Sequence, residues 1–421
     1  MSSILTNNGA MVALQTLKSI NADLTKTQSV ISTGKAIASA KDNSAVWAIS
    51  KVMESDVAGF QAISSSLSLG ESTVAVARQA SETVTDLLTK MKAKIVASQE
   101  SNVDRVKIQS DIVALRDQIT AVVGAAQFNG LNLLTNKSTT IGTGTVNVLS
   151  SLDRSGTGVT ASSITVSKED LGLSAASFTG MALTPGTAST LDATQTQTLT
   201  ITAPTSIGTA YSIGLAGTDA DASKFVPASY TTGATTADQN KILYVSREGD
   251  TAADVAKGLA AAFAGYMSKN GLDTDVVNTR ASAGTLVFTS TKTDATDTIA
   301  ARVDFGASTT STIGGGLASL ANFDVTTTFG AKAALGAVEN AIQISVDAAA
   351  SFGSSEGRIE TQASFISKLT DGLKSGIGTL VDANMEEASA RLQALQVQQQ
   401  LGVQSLSIAN QAPQTILSLF R

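Results

Sequence analysis

Between residues 63 and 95, apolar and small side chains recur in alternating steps of four and three: Ile63, Leu67, Gly70, Val74, Ala77, Ser81, Val84, Leu88, Met91 and Ile95. On a helix this spacing lays one narrow seam and predicts burial against a partner helix. At 1.5 Å per residue the stretch makes a rod of roughly 50 Å. A second run, Ile108, Ile112, Leu115, Ile119 and Val122, follows a polar break at residues 100–104. So short a connection predicts an antiparallel pair. The far arm repeats the pattern with Leu335, Val338, Ile342, Ser345, Ala349 and Phe352, then Ile359, Ala363, Ile366, Thr370, Leu373, Ile377 and Leu380. A break is expected there between Gly353 and Gly357, and this arm supplies the third helix of a bundle. These seams define the expected rod core, and ordinary packing within one molecule accounts for them.

The extreme ends carry the same spacing in diluted form. Ala10, Leu14, Leu17, Asn21, Leu24, Gln28 and Ile31 stand at the front, and Met385, Ala388, Leu392, Leu395, Gln399, Gly402, Leu406 and Ala409 at the back. Both ends also place apolar residues off the seam: Met11, Val12 and Ile20, and Val397, Leu401, Val403 and Ile408. A short seam broken by Asn, Gln and Gly buries too little by itself to offset the entropy of ordering. Both ends are therefore expected to be disordered in the free monomer and to fold when many copies pack together. The expected assembly interface is Leu14, Leu17, Leu24, Ile31, Leu392, Leu395, Leu401, Leu406, Ile416, Leu417, Leu419 and Phe420.

From about residue 136 to 330 the period shortens to alternation. Runs at 146–149, 164–166, 199–203, 211–215, 241–246, 285–289 and 299–305, separated by Gly, Asp, Ser and Thr, predict strands. One Ala-rich segment, 251–269, predicts a helix with Asp250 as a possible N-cap. The fold class expected is mainly α: long antiparallel coiled-coil arms from both termini with a β-rich (α+β) insert in the middle. Three parts are expected, 1–45 with 376–421, 46–175 with 331–375, and 176–330.

Composition narrows the function. The 421 residues contain no His and no Cys, which removes Ser-His-Asp and Cys-His nucleophiles and the usual zinc sites. With a net charge of −6 and scattered Lys and Arg, no basic stripe is present to neutralise phosphates. Nucleic acid is not expected as a partner. No stretch reaches the length of a membrane span, and no Sec-type leader is visible at the front. The acidic neighbours Asp219 and Asp221, or Glu386 and Glu387, are read as solvated charge. Gly314, Gly315 and Gly316 lack the Lys-Ser/Thr of a phosphate loop and are read as a flexible linker. Neither catalysis, nor a cofactor, nor a bound metal is expected.

Several stretches resemble bacterial flagellins over about the first 135 and last 90 residues. Residues 4–8 (ILTNN) and 32–43 (STGKAIASAKDN) are similar to the family's amino-terminal signature, 126–134 (AQFNGLNLL) to the close of its amino-terminal helical region, and 409–421 (ANQAPQTILSLFR) to its carboxy terminus. The resemblance implies a secreted, non-enzymatic filament subunit of the rhizobial type. Its paired ends would line a tube, its inner arms would form the next layer and its insert would face outward. It further implies flagellar type III export as an unfolded chain, an export chaperone, a filament cap, junction proteins and other co-assembling flagellins as partners, and an extracellular location. Host immune receptors recognise this family. Here Val30 and Ala36 stand where the plant-recognised segment often has Arg, and Lys90, Lys92 and Lys94 replace an Arg-rich arrangement in the helix that animal receptors target. Both departures count against recognition. The alternative is a hook-filament junction protein, which shares the amino arm; the 409–421 ending favours the filament subunit.

Overall fold

The computed structural model describes residues 7–155, 158–179, 183–192, 195–221, 223–233, 235–307 and 311–418. Among these residues the seven α-helices are α1 Asn8–Thr33, α2 Ser44–Ala97, α3 Arg105–Ala125, α4 Thr236–Gln239, α5 Ala252–Lys269, α6 Thr328–Val381 and α7 Met385–Ser418. Eleven strands are β1 Gln127–Phe128, β2 Leu131–Asn132, β3 Thr145–Ser155, β4 Gly158–Ser167, β5 Ser189–Leu191, β6 Thr196–Thr200, β7 Thr209–Thr218, β8 Leu243–Val245, β9 Asn278–Ser282, β10 Thr285–Thr289 and β11 Thr298–Ala307. The mainly helical class with a strand-rich middle is as expected. Contacts group the chain into two units, 1–65 with 154–159 and 364–421, and 66–153 with 160–363.

In the first unit α1 and α7 pair. Gly34 ends α1 in the left-handed region at φ 71°, where a side chain would be strained. The turn that follows is stitched to the α6–α7 link: Ala36 N donates to Val381 O at 2.7 Å and Ala383 N to Gly34 O at 3.0 Å. Asn384 Oδ1 then accepts from the backbone of Glu386 and Glu387, so this acidic pair opens α7.

In the second unit α2 buries Leu67, Gly70, Val74, Ala77, Ser81, Val84, Leu88, Met91 and Ile95. Ile63, the first residue of the same seam, is buried in the first unit. The α6 helix runs antiparallel to α2: Arg78 pairs with Glu356 at 2.5 Å, Thr85 Oγ1 meets Ser345 Oγ at 2.9 Å, and Lys92 pairs with Glu339. Helix α3 doubles back on α2, with Lys94 on Asp111 at 2.6 Å. It buries Ile112 and Ile119, with Leu115 half-buried. At Gly70 strand β3 comes close; a Cβ there would lie 2.5 Å from Val148 Cγ1.

Two expectations for α6 are corrected. Its buried line is Ala334, Val338, Ala341, Ser345, Ala348, Phe352, Ser355 and Ile359, while Leu335, Ile342 and Ala349 are half-buried on its flank. Alanine at the seam lets two helices approach, and the larger residues cover the groove edge. Nor does the helix break between Gly353 and Gly357. Each Gly costs a helix only about 1 kcal/mol, and the buried Phe352 and Ile359 on either side outweigh that.

Beyond the rod, β5-β11-β7-β8 and β6-β10-β9 form two antiparallel sheets. With α5 they enclose a core around Tyr211, Leu215, Leu259, Phe263, Phe288 and Ile299. Helix α5 is capped by Thr251 and not by Asp250: Asp254 Oδ2 accepts from the Thr251 backbone at 2.9 Å and its hydroxyl at 2.7 Å. Asp250 instead accepts from the Tyr244 hydroxyl at 2.6 Å.

The Gly314–Gly316 segment is not a loose linker. Gly314 and Gly315 are buried. Gly315 N donates to Ser174 O at 2.8 Å, Gly316 N to Asp170 O at 3.1 Å and Leu317 N to Gly172 O at 3.0 Å. A Cβ on Gly315 would sit 1.9 Å from the Gly172 carbonyl oxygen, and backbone cannot swing aside as a flexible side chain can. Gly315→Ala is therefore expected to destabilise the second unit by at least ~1–3 kcal/mol in urea unfolding; a silent substitution would mean that the segment is loose after all.

Candidate assembly interface

Helices α1 and α7 run antiparallel in a two-helix pair. Asn7 Nδ2 donates to Ala409 O at 2.8 Å and Gln399 Nε2 to Asn21 Oδ1 at 2.6 Å. Between these points Gly402 lets Leu17 approach, a Cβ there lying 3.2 Å from Leu17 Cδ1. Of the twelve expected interface residues, Leu17, Leu24, Ile31, Leu392 and Leu406 are half-buried, and Leu395 is 7% exposed. Leu14 and Leu401 stand open at 57% and 55%. Ile416 and Leu417 fall on α7, but their side chains, like Leu419 and Phe420, lie outside the described residues.

The pair buries little. Among the pair's described side chains, those buried besides Leu395 are Thr27 and Ala388. Met11, Val12, Leu14, Val397, Leu401, Val403 and Ile408 are all more than half exposed, Ile408 by 69%. Covering these seven is worth roughly 1 kcal/mol or more each, since full burial of such a side chain yields ~1.5–3 kcal/mol. The pairing of α1 with α7 leaves these seven side chains uncovered. Further bare side chains are Ile49, Val52 and Phe365 in the first unit and Leu69, Val96 and Val106 in the second. They sit off the 4,3 seam; large apolar residues outside the seam positions of a long helix are the sequence signal that marks them.

Two charged clusters complete the picture. Asp219, Asp221 and Asp297 bring carboxylate oxygens within 4.8 Å of one another. Asp219, expected as solvated charge, is instead buried at 6% exposure and shapes a turn: burial would raise its pKa, but the backbone N–H groups of Phe225 and Lys224, the Asp221 side chain and the Ser223 N–H outweigh this and bring it down to about 2. The second cluster surrounds Arg247, whose side chain is 13% exposed, in a cavity of about 270 Å³. Its Nη2 donates to Gly314 O at 2.8 Å and its Nη1 to Tyr244 Oη at 3.2 Å, while Nε lies 4.0 Å from the fully buried Asp170 carboxylate. Burial raises the pKa of Asp250 and Glu169 in spite of the Arg247 charge. Among the described residues no helix is long and apolar enough to cross a membrane.

Long seam-packed helices, a terminal pair with large apolar residues left exposed and a β-rich body define a structural protein. Relatives agree with that class. A family model described as the bacterial flagellin N-terminal helical region matches residues 4–139, and one described as the C-terminal helical region matches 335–420. The chain belongs to the bacterial flagellin family, the structural subunits of the flagellar filament. It is 36% identical to Flagellin A of Rhizobium meliloti over 430 residues, covering 100% of both chains. It is 30% identical to Flagellin FljM of Caulobacter vibrioides over 424 residues, covering 100% of this chain and 99% of that one. A hook-associated protein-3 structure from Legionella pneumophila, 9% identical, aligns over 78% of this chain and 98% of its own at a TM-score of 0.37, too distant to bear on function. Full-length identity to named flagellins favours the filament subunit over the junction protein.

Proposed function

We propose that polymerisation of this chain is coupled folding: α1 and α7 order against neighbouring copies and bury the apolar side chains that the isolated pair leaves bare. The observation that carries this reading is the more than half exposed set of Met11, Val12, Leu14, Val397, Leu401, Val403 and Ile408. In this arrangement residues 1–45 with 376–421 line the filament's interior, 46–175 with 331–375 form the layer around it, and 176–330 face outward. The hydrogen-bonded strap between residues 170–174 and 315–317 supports that last boundary. Export proceeds through the flagellar type III route as an unfolded chain with an export chaperone, and subunits add beneath a cap beyond the junction proteins.

Deleting residues 409–421 tests the proposal. Purified truncated monomer is expected to keep the unfolding midpoint of its second unit and to form no filaments on added seeds by negative-stain microscopy. The intact chain should elongate the seeds with a gain in helical circular dichroism. Long filaments from the truncated chain would refute coupled folding of the ends as the basis of assembly.

A further inference from the structure

The α7 helix continues through Pro413 to Ser418. Proline has no backbone N–H, so it cannot give the hydrogen bond that the carbonyl four residues earlier would normally accept. That carbonyl belongs to Ala409, and the donor that reaches it comes from the other end of the chain: Asn7 Nδ2, at 2.8 Å and 402 residues away in sequence. The same side chain opens α1, its Oδ1 accepting from Ala10 N at 3.0 Å. One amide thus uses its two unlike atoms on two helices, the oxygen as a cap and the nitrogen as a replacement donor.

This matters because most contact along the pair is apolar and non-directional. Its directional contacts lie elsewhere: Gln399 Nε2 donates to Asn21 Oδ1 at 2.6 Å partway along, and the Gly34 turn is bonded to the α6–α7 link at the opposite end. A one-turn slip would carry Asn7 away from Ala409, leaving a half-buried amide and a carbonyl without their partner. We propose that Asn7 is the positioning residue that fixes the register of α1 against α7 at the end of the pair away from the Gly34 turn, for assembly, acting on the carbonyl that Pro413 leaves without its helical donor. The assignment rests on the filament reading above, because register matters only where the bare faces of both helices must meet other copies together.

Asparagine is needed at this position for its nitrogen and not for capping. Asn7→Asp keeps a good capping acceptor and puts an oxygen where the donor stood. Asn7→Ser keeps a capping oxygen on a shorter arm and adds no charge. Pro413→Ala restores the missing N–H, so Ala409 no longer depends on Asn7.

Critical concentration for growth on filament seeds, measured by sedimentation, reads the effect in the full-length chain. Asn7→Asp and Asn7→Ser are each expected to raise it on the order of tenfold, as leaving one partly buried carbonyl unsatisfied would. In the Pro413→Ala background the same two substitutions should change it by less than about twofold, since the helix then satisfies its own carbonyl. An equal rise in both backgrounds would show that Asn7 acts through the α1 cap alone, and no rise in the parent background would show that the contact sets nothing; either result overturns the assignment. If the unaltered chain fails to grow on seeds, the filament reading itself falls and takes this assignment with it, a result distinct from failure of the variants.

Discussion

Arg247→Met is expected to lower the stability of the second unit by about 3–5 kcal/mol in urea unfolding at neutral pH, the usual cost of removing one member of a buried ionic group. The arginine joins Asp170, which follows β4, to Gly314, on the return from the insert, 144 residues apart in sequence, and it also reaches Tyr244, three residues before it within β8. Methionine fills much of the same volume but leaves the Gly314 carbonyl unbonded and the Asp170, Asp250 and Glu169 carboxyls without their cation. The pH dependence separates this loss from a packing defect. Asp250 and Glu169 titrate above the ordinary carboxylate range because burial disfavours their charge. The folded protein therefore takes up their protons more readily than the unfolded chain, so the instability they cause is present above their folded pKa and fades as pH falls. Without Arg247 that instability grows, and the stability gap between variant and parent should narrow as pH falls from neutral through the raised folded-state pKa values of these carboxyls. A gap that stays constant across this interval would show that lost packing, and not unpaired charge, causes the defect.

Phe352→Ala is the second large effect, at about 3–5 kcal/mol, because the ring is fully buried on α6 and a cavity remains when it is removed. The companion substitution is Leu335→Ala. Leu335 is half-buried on the helix flank, so its truncation should cost about 1–2 kcal/mol, less than full burial would lose. Denaturation of the two variants side by side decides which line of α6 faces the rod core. Equal losses would restore Leu335, Ile342 and Ala349 to the seam and remove Ala334, Ala341 and Ala348 from it.

The contrast between α2 and α6 shows what periodicity can and cannot read. On α2 the seam includes Gly70, Ala77 and Ser81, and accepting small residues there kept the 4,3 spacing in phase from Ile63 to Ile95. On α6 the eye follows Leu335 and Ile342, the larger apolar residues, and lands one position late. Burial follows from how close two helices approach, and a single helix does not state that distance. The same limit applies to the three glycines at 314–316, whose composition suggests freedom while their packing against residues 170–174 leaves no room for a side chain. Strands β5 and β9 carry almost no apolar alternation and exist because β11 and β10 offer them partners. At the ends, the diluted seams and off-seam apolar residues were legible as a surface left bare. The Asn7–Ala409 contact was not, since it joins residues at opposite ends of the sequence.

Where the chain leaves the rod and where it comes back, the two stretches lie side by side: Ser177 and Thr312 bridge, and Gly315, Gly316 and Leu317 donate to Ser174, Asp170 and Gly172. The outgoing and returning chain are thus already a hydrogen bond apart before any of the intervening residues are counted. Geometrically the β-rich body is a detour that begins and ends at one doorway. Such a detour can be lengthened, shortened or exchanged while the ladder at the doorway stays shut, with the seams of the rod left undisturbed.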